Sequence, residues 1–344
     1  MIALVGNAPS SGSTLLADLL DSTPITACGP ELGLFSSEHF YSAENISRIL
    51  FRSSRIPDVY VRRTGLFKTA LPHYGLTTRS VKQISQRRGP TSFATTFAKN
   101  YLAYREREVS GLVFEKSPVN CGVISLFLNT FNSNYFIFMV RNPLSVLESL
   151  NRRGFDRHIA LMTWLLSAAS FYPFKDHPRA ICIRYEDLIQ NPYLTTQQII
   201  KKVTGQSIHS ELIKTLHQTN SYRNTSVQRV LTWRSKNSNK IEILQPDRTN
   251  SMSLNLISTF IEAKVNKKYA DLFNATDLTF RQALDEFGYS DSILELLPNN
   301  STKQGRLCLP SNTKFVLLKK WARDFLAGDA RVCDRDAYMQ PVVY

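Results

Sequence analysis

Residues 2–20 read IALVGNAPSSGSTLLADLL and combine three local patterns. The apolar residues at 2–5 predict a short β-strand, the small and turn-forming residues at 6–12 predict a loop, and the spacing at 13–20 predicts a helix. A loop between a strand and a helix start presents backbone N–H groups to an anion, and Ser13 and Thr14 add hydroxyl donors. The pattern favours an anion-binding loop, although an ordinary turn between a strand and a helix would use the same residues.

Three further strand patterns follow, at residues 112–114, 135–140 and 180–183, and each leads towards residues with helical spacing. Short strands that alternate with helices predict an α/β fold, a three-layer structure with a parallel sheet flanked by helices. Ligands of such sheets bind beyond the carboxyl ends of the strands. The loops after Val5, Phe114, Val140 and Ile183 should therefore lie along one edge of the sheet.

The loop at 6–12 differs from the loops that bind nucleoside triphosphates. Those loops carry Gly-Lys-Ser/Thr, with the lysine on the β- and γ-phosphates and the hydroxyl on Mg²⁺, whereas here Gly12 precedes Ser13 and the loop has no lysine. A strand that holds the metal would end in Asp, but the strand at 135–140 is followed by Arg141. These features predict a phosphate ester bound without a metal and argue against a P-loop kinase.

Arg141 begins a second candidate anion site, because its planar guanidinium suits a phosphate bidentately. Asn142 and Pro143 are favourable residues at the start of a helix that we expect to extend to about residue 151. Ser149 lies one turn after Ser145 on the same helix face. A phosphate could therefore sit between Arg141 and Ser149; the alternative is that Arg141 forms a salt bridge at the helix N-terminus.

Together these motifs resemble the sulfotransferases that use 3′-phosphoadenylyl sulfate (PAPS). Residues 9–16, PSSGSTLL, are similar to the family's 5′-phosphosulfate loop, and Arg141-Asn142-Pro143 followed by Ser149 is similar to its 3′-phosphate motif. EKSP at 115–118 resembles a strand end of the glycan-modifying branch, and YEDL at 185–188 with Asn191-Pro192 resembles the next family signature. The resemblance is closer to the glycan and tyrosyl branches than to the small-molecule cytosolic branch.

The resemblance implies a domain organisation and a set of residue roles. Residues 1–289 would form a P-loop-like sulfotransferase domain, with a basic and mainly helical acceptor-side insertion at 46–108, and residues 290–344 would form a C-terminal extension. PAPS is the expected co-substrate and 3′,5′-ADP (PAP) the product, and we expect no metal. The residues implied to bind PAPS are Ser10, Ser11, Gly12, Ser13 and Thr14 at the 5′-phosphosulfate, Arg141 and Ser149 at the 3′-phosphate, Tyr185 near the adenine, and Arg229 in a loop that closes over the nucleotide.

Sulfuryl transfer needs a base for the acceptor hydroxyl, and a carboxylate within hydrogen-bond reach can take its proton. The resemblance assigns this base to Glu31, in the segment GPELGLF at 29–35. Glu115 is a weaker alternative, and Glu31 would otherwise be a carboxylate at a helix start. Histidine is the base in the small-molecule branch, but the candidates here lie outside that branch's motif: His39, His73 and His158.

The loop departs from the family at Ser10, where the family usually carries Lys or Arg. That cation stabilises charge on the leaving phosphate, and losing such a group costs roughly 10²–10³ in rate. Lys116 is the predicted substitute and the second catalytic residue; otherwise it is a surface lysine beside Glu115. If neither Lys116 nor an arginine from 46–108 reaches the site, the protein would bind the nucleotide without catalysing transfer.

The net charge is +14, from 42 basic and 28 acidic residues. Residues 46–108 hold 13 Lys and Arg against three acidic residues, and such a field concentrates anionic partners. We expect an acceptor with a hydroxyl group and negative charge, such as an acidic glycan or glycolipid, and no specific nucleic-acid partner. The alternatives are a solvated basic face and a non-catalytic protein that binds anionic glycan or nucleic acid.

The five cysteines are scattered and form no metal-binding pattern, so reduced thiols are expected, although Cys308 and Cys333 could pair. No apolar run approaches the about 20 residues of a transmembrane helix, and the N-terminus shows no signal-peptide pattern. These features predict a cytoplasmic protein, with peripheral membrane association left open. A form in the Golgi lumen would need an anchor that this sequence does not show.

Overall fold

The computed structural model describes residues 1–42, 60–61, 66–86, 88–220, 251–267, 270–271, 275–297, 311, 313–314 and 342–343 of the 344-residue chain. These residues divide into two units. The first contains the described residues of Met1–Asn7, Gly12–Met139 and His177–Ile241. The second contains those of Ala8–Ser11, Val140–Asp176 and Glu242–Tyr344.

A parallel sheet dominates the first unit. The described strands, in chain order, are β1 (Ile2–Asn7), β2 (Thr26–Cys28), β3 (Tyr60–Val61), β4 (Leu66–Phe67), β5 (Leu112–Lys116), β6 (Phe136–Val140), β7 (Ala180–Arg184), β8 (Lys264–Val265) and β9 (Val342–Val343). Five of them form the parallel sheet, in the order β2-β5-β1-β6-β7. The central strand β1 pairs with β5, where Val5 lies opposite Lys116, and with β6, where Val5 lies opposite Ile137.

Thirteen α-helices are described, five of them in the second unit. In chain order they are α1 (Ser13–Asp21), α2 (Glu38–Tyr41), α3 (Thr78–Ser85), α4 (Pro90–Tyr104), α5 (Ile124–Thr130), α6 (Pro143–Arg152), α7 (Arg157–Phe171), α8 (Tyr185–Gln190), α9 (Pro192–Thr204), α10 (Ser210–Asn220), α11 (Ser251–Phe260), α12 (Phe280–Glu286) and α13 (Ser290–Leu294). Short 3₁₀ helices span Lys68–Tyr74, Pro118–Val123 and Tyr172–Phe174. None of the described helices is long and apolar enough to cross a membrane.

Every residue of β1, β5 and β6 is buried, although successive side chains of a strand point to opposite faces. Both faces of the sheet are therefore covered, which explains the continuous apolar runs in the sequence. On one face, Val5 shares a hydrophobic core with Leu16 of α1 and Ile200 of α9. Helix α4 also packs against β1, β2 and β5 and carries a row of buried aromatic rings, Phe93, Phe97 and Tyr101.

Helix α7 is the centre of the second unit, where it packs against α6, α11 and α12. Trp164 of α7 is buried, and its ring centroid lies 5.2 Å from that of Phe280 in α12. The indole Nε1 donates a hydrogen bond to the backbone oxygen of Arg141 at 2.9 Å. The core of this unit therefore fixes the backbone of the residue that directly follows β6.

The structure confirms the predicted α/β fold with a parallel sheet. Strand β2, which is only three residues long, was not predicted from the sequence. The spacing of residues 252–272 is mainly helical and predicts a helix there, which is wrong in part, because α11 ends at Phe260 and β8 then pairs antiparallel with β9. The domain boundary at 289 stays a prediction. The sequence also predicts a helix at 314–326, almost all of which lies outside the described residues.

Candidate functional site

Gly12 is the N-cap of α1 and has a left-handed backbone with a φ of 88°. A Cβ atom at this position would lie 2.1 Å from Cδ2 of Tyr185, the first residue of α8, so only glycine fits against the ring. Glycine also adopts this φ without the steric penalty that other residues meet. The first backbone N–H groups of a helix lack intrahelical partners, and here the glycine N-cap offers no side chain to accept from them at Ser13 and Thr14.

Ser10 is held by two guanidinium groups of the second unit. Its backbone oxygen accepts a hydrogen bond from Arg141 Nη1 at 3.1 Å, and its Oγ accepts one from Arg153 Nη1 at 2.7 Å. The φ of Ser10 is 71°, a left-handed value that is uncommon outside glycine. The loop residue at which the sequence lacks the family's cation therefore contacts an arginine from elsewhere in the chain.

The hydroxyl of Ser11 is buried and, within the described part of the chain, has no hydrogen-bond partner. Leaving a buried hydroxyl unsatisfied costs about 1–3 kcal/mol. An anion oxygen that accepts from this hydroxyl would remove that penalty. The loop thus has an unused donor next to Ser10.

Arg153 is a functional candidate that the sequence analysis missed. It follows α6 directly as the C-cap, and its guanidinium carbon lies 5.6 Å from the ring centroid of Phe155. The sequence signal was Arg153-Gly154 just beyond the predicted end of the helix, because glycine after a helix favours a left-handed turn. Gly154 has a φ of 83°.

Arg141 and Ser149 are carried by α6 and the turn before it. Arg141 follows the last residue of β6 and is 9% exposed. The Oδ1 of Asn142 accepts hydrogen bonds from the backbone N–H groups of Leu144 at 3.0 Å and Ser145 at 3.4 Å. This N-cap and Pro143 start the helix as the sequence predicted, and the half-buried Ser149 lies within the same helix.

Glu31 and Lys116 form an ion pair, although 85 residues separate them in the sequence. Lys116 Nζ lies 3.2 Å from Glu31 Oε1, and the two side chains are 5% and 12% exposed. Lys116 is the last residue of β5. A carboxylate and an ammonium group therefore meet at the carboxyl end of the sheet, where ligands of parallel sheets bind.

Glu115 precedes Lys116 and is fully buried. Its Oε1 accepts hydrogen bonds from Ser117 Oγ at 2.6 Å, Gly33 N at 2.8 Å and Leu32 N at 3.2 Å, and its Oε2 accepts one from Asn120 Nδ2 at 2.8 Å. Burial raises the pKa of Glu115, and these hydrogen bonds oppose that rise. The neighbouring side chains of Glu115 and Lys116 thus have different partners. Lys116 forms an ion pair with Glu31, whereas Glu115 is enclosed by hydrogen-bond donors.

Part of the basic segment serves the fold. Arg105 Nη2 lies 2.6 Å from Asp21 Oδ2, and Arg107 Nη2 donates to the backbone oxygen of Asp21 at 2.9 Å. Burial raises the pKa of Asp21, and Arg105 opposes that rise. Arg88 Nη1 donates to Thr96 Oγ1 at 2.7 Å. These arginines are engaged within the protein, so not every charge of 46–108 is available to a partner.

Several predicted residues are not brought together. Arg229 and the pair Cys308 and Cys333 lie outside the described residues, as does the side chain of His39. His158 Nδ1 is 3.8 Å from Asp156 Oδ1, and burial lowers the pKa of His158 and of His73. Among the described residues, no group of three or more His, Cys, Asp or Glu side chains is arranged to hold a metal ion.

Comparison with known proteins identifies one family. A family model described as the sulfotransferase family matches residues 3–204. No curated protein sequence matches this chain.

Solved structures with a similar chain path include the sulfotransferase domain of an olefin synthase from Synechococcus PCC 7002, with 21% identity, 75% of this chain and 94% of that chain covered, and a TM-score of 0.45. The sulfotransferase domain from the curacin biosynthetic pathway has 20% identity, with 62% of this chain and 76% of that chain covered and a TM-score of 0.41. A mouse sulfotransferase complexed with PAP has 13% identity, with 63% of this chain and 64% of that chain covered and a TM-score of 0.33.

The residues matched by the family model run from β1 to the end of α9. They include the loop at 6–12, the pair Glu31 and Lys116, Arg141 and Tyr185. They also make up more than half of the 344 residues. The chain therefore belongs to the sulfotransferase family, and it is a transferase of sulfuryl groups.

Proposed function

We propose that this sulfotransferase moves the sulfuryl group of PAPS to a hydroxyl group on an anionic glycan or glycolipid and releases PAP. The observation that supports this most is the ion pair of Lys116 Nζ and Glu31 Oε1, 3.2 Å apart. The pair lies at the end of β5, the edge at which parallel sheets bind their ligands. It offers a proton acceptor and a positive charge at one place.

The loop residues fit a phosphosulfate. Ser11 provides a buried hydroxyl that lacks a hydrogen-bond partner among the described residues, and the start of α1 provides backbone N–H groups and the positive end of a helix dipole. In this proposal the residues Ser10 to Thr14 hold the 5′-phosphosulfate. Arg141 and Ser149 hold the 3′-phosphate, and Tyr185 lies near the adenine. Arg229 keeps its predicted role in closing over the nucleotide.

Glu31 is the proposed general base. PAPS supplies a sulfuryl group that is activated by its anhydride bond to phosphate. Glu31 takes the proton of the acceptor hydroxyl while the acceptor oxygen forms its bond to sulfur and the bond between sulfur and the phosphate oxygen breaks. The proton ends on the Glu31 carboxyl group and the negative charge on PAP. Lys116 orients Glu31 through Oε1 and stabilises charge on the leaving phosphate.

Arg153 is the proposed replacement for the cation that the family usually carries at the position of Ser10. Its Nη1 lies 2.7 Å from Ser10 Oγ, so its positive charge is next to the loop that we assign to the phosphosulfate. A guanidinium presents its donors in a planar fork that matches phosphate and sulfate oxygens. The loop therefore acquires from the residue after α6 a charge that its own sequence lacks.

Thermal unfolding tests the nucleotide assignment. We expect PAP to raise the melting temperature by a few degrees through binding to the folded state, and ATP with Mg²⁺ to leave it unchanged. Equal shifts with both nucleotides would contradict the assignment. A protein that binds the nucleotide without catalysis would show the PAP shift and no transfer of label from PAPS to any acceptor.

A variant of Glu31 tests the assignment of the general base. Glu31→Gln should retain the PAP shift and lose roughly 10²–10⁴-fold in transfer rate, measured with labelled PAPS and desulfated chondroitin as acceptor. Glu108→Gln is the matched control, because Glu108 is exposed and has no assigned role. Transfer by Glu31→Gln at the rate of the control would show that another residue is the base.

A further inference from the structure

Glu115 lies next to the proposed catalytic pair without belonging to it. Its side chain is fully buried on β5, and the four donors around its carboxyl group are neutral: two backbone N–H groups, a hydroxyl and an amide. A carboxyl group enclosed in this way cannot approach an acceptor hydroxyl. The role of Glu115 therefore depends on which residues carry the four donors.

The donors come from both sides of the ion pair. Leu32 and Gly33, which supply the backbone N–H groups, directly follow Glu31, and Ser117 directly follows Lys116. Gly33 has a φ of 65°, and its N–H also contacts Ser117 Oγ at 2.9 Å. One carboxylate oxygen therefore joins the turn that carries the base to the strand end that carries the lysine.

Asn120 fixes the other carboxylate oxygen. Its Nδ2 donates to Glu115 Oε2 at 2.8 Å and to the backbone oxygen of Val5 at 3.0 Å, and its Oδ1 accepts from Ser36 Oγ at 2.8 Å. Asn120 is itself fully buried. The carboxyl group of Glu115 is thus oriented by β1 and by the segment that follows Glu31, and it has little freedom to rotate.

We propose that Glu115 is a positioning residue that holds the turn at 31–33 so that Glu31 stays in reach of Lys116 and of the acceptor hydroxyl. This proposal rests on the proposed function of Glu31. A buried acceptor with several convergent donors keeps a turn in one conformation, and a displacement of a catalytic group by about 1 Å can lower a rate by roughly 10²-fold. Glu115 therefore acts on catalysis only through Glu31.

A double-mutant cycle tests this proposal. Glu115→Gln keeps the shape of the side chain but replaces one acceptor oxygen with a donor, which opposes the donors around it. We expect kcat to fall at least 10-fold, with the KM for desulfated chondroitin and the PAP-induced thermal shift close to those of the unmodified protein. In the Glu31→Gln background, Glu115→Gln should have almost no further effect on kcat.

Each result of the cycle decides between two roles. A similar fold loss of kcat in both backgrounds, or a loss of PAP binding in parallel with kcat, would assign Glu115 a merely structural role and overturn the proposal. Full activity of Glu115→Gln would overturn it as well. Full activity of Glu31→Gln would instead reject the proposed base, so the two failures are distinguishable.

A second, milder variant tests the proposal if the Glu115→Gln protein unfolds below the assay temperature. Ser117→Ala removes a donor to Glu115 Oε1 and an acceptor for Gly33 N while leaving the carboxyl group in place. We expect a smaller loss of kcat that again disappears in the Glu31→Gln background. A loss of the same size in both backgrounds would overturn the proposal. Glu108→Gln serves as the control for both variants.

Discussion

Ser10 lies where the family usually carries a cation, and we propose that a residue from a different position in the chain supplies that charge. A serine has no charge with which to stabilise a leaving phosphate, but the backbone of Ser10 adopts a left-handed φ of 71° and its Oγ contacts Arg153 at 2.7 Å. Lys116 is the substitute predicted from the sequence. The structure pairs Lys116 with Glu31 and also brings Arg153 to the loop.

Replacing Arg153 tests whether its positive charge contributes to catalysis. We expect Arg153→Ala to lower kcat by roughly 10²-fold, the effect of losing one group that stabilises charge in the transition state, with a smaller thermal shift by PAP. Arg152→Ala is the matched control: Arg152 is the preceding, exposed arginine and its Nε donates to the backbone oxygen of Glu148 at 3.4 Å.

A lysine at position 10, as the family usually carries there, should restore part of the activity lost with Arg153. Ser10→Lys in the Arg153→Ala background should recover part of kcat, because it restores a cation directly on the loop. Equal rates for Arg153→Ala and Arg152→Ala, measured with labelled PAPS under the same conditions, would show that the contact with Ser10 has no role in catalysis.

Helix α6 positions the residues that we assign to the 3′-phosphate. The helix begins with a side-chain cap, in which Asn142 Oδ1 accepts from two backbone N–H groups. Arg141 lies immediately before the cap and Ser149 within the helix. The stability of the first turn of α6 therefore affects both residues.

Removing the cap should destabilise the protein by about 1 kcal/mol, the usual effect of replacing an N-cap residue with alanine. We expect Asn142→Ala to lower the free energy of unfolding in urea by this amount and to weaken PAP binding. Asn142→Ser keeps a capping oxygen and should retain most of the stability. Equal losses for the alanine and serine variants would mean that the hydrogen bonds of Asn142 contribute nothing.

Elements were predictable where the signal is local. The apolar runs at 135–140 and 112–114 and the Asn142-Pro143 pair predicted two strands and a helix start because strand burial and capping depend on neighbouring residues. The helix at 252–272 was predicted wrongly because strand β8 forms through pairing with β9, far along the chain. Local spacing does not reveal such pairing.

Site contacts were less predictable than elements. Glu31 and Lys116 were proposed from resemblance, and no spacing in the sequence indicates that side chains 85 residues apart should meet. Arg153 contacts a residue that lies 143 positions earlier in the chain, Ser10. The network of Glu115 depends on backbone N–H groups, which every residue other than proline carries.

The net charge of +14 is the property of the chain that bears on the proposed anionic acceptor. The described basic residues of 46–108 are of two kinds, those engaged within the protein and those exposed to solvent. Arg105 and Arg107 are engaged with Asp21, whereas Arg79 and Lys82 are exposed on α3. Only exposed charges can attract an anionic acceptor from solution, and salt screens them over about 10 Å at 0.1 M ionic strength.

Reversing two exposed charges should therefore weaken the use of an anionic acceptor. For Arg79→Glu combined with Lys82→Glu, we expect kcat/KM with desulfated chondroitin to fall about 10-fold at low salt, and the difference from the unmodified protein to shrink as salt rises. Dextran, which is neutral, should show no such change. The matched control reverses Lys201 and Lys202, which are exposed on α9. If both double variants lose the same activity towards chondroitin, net charge alone is responsible; if neither loses any, the acceptor is not recruited by the charges of α3.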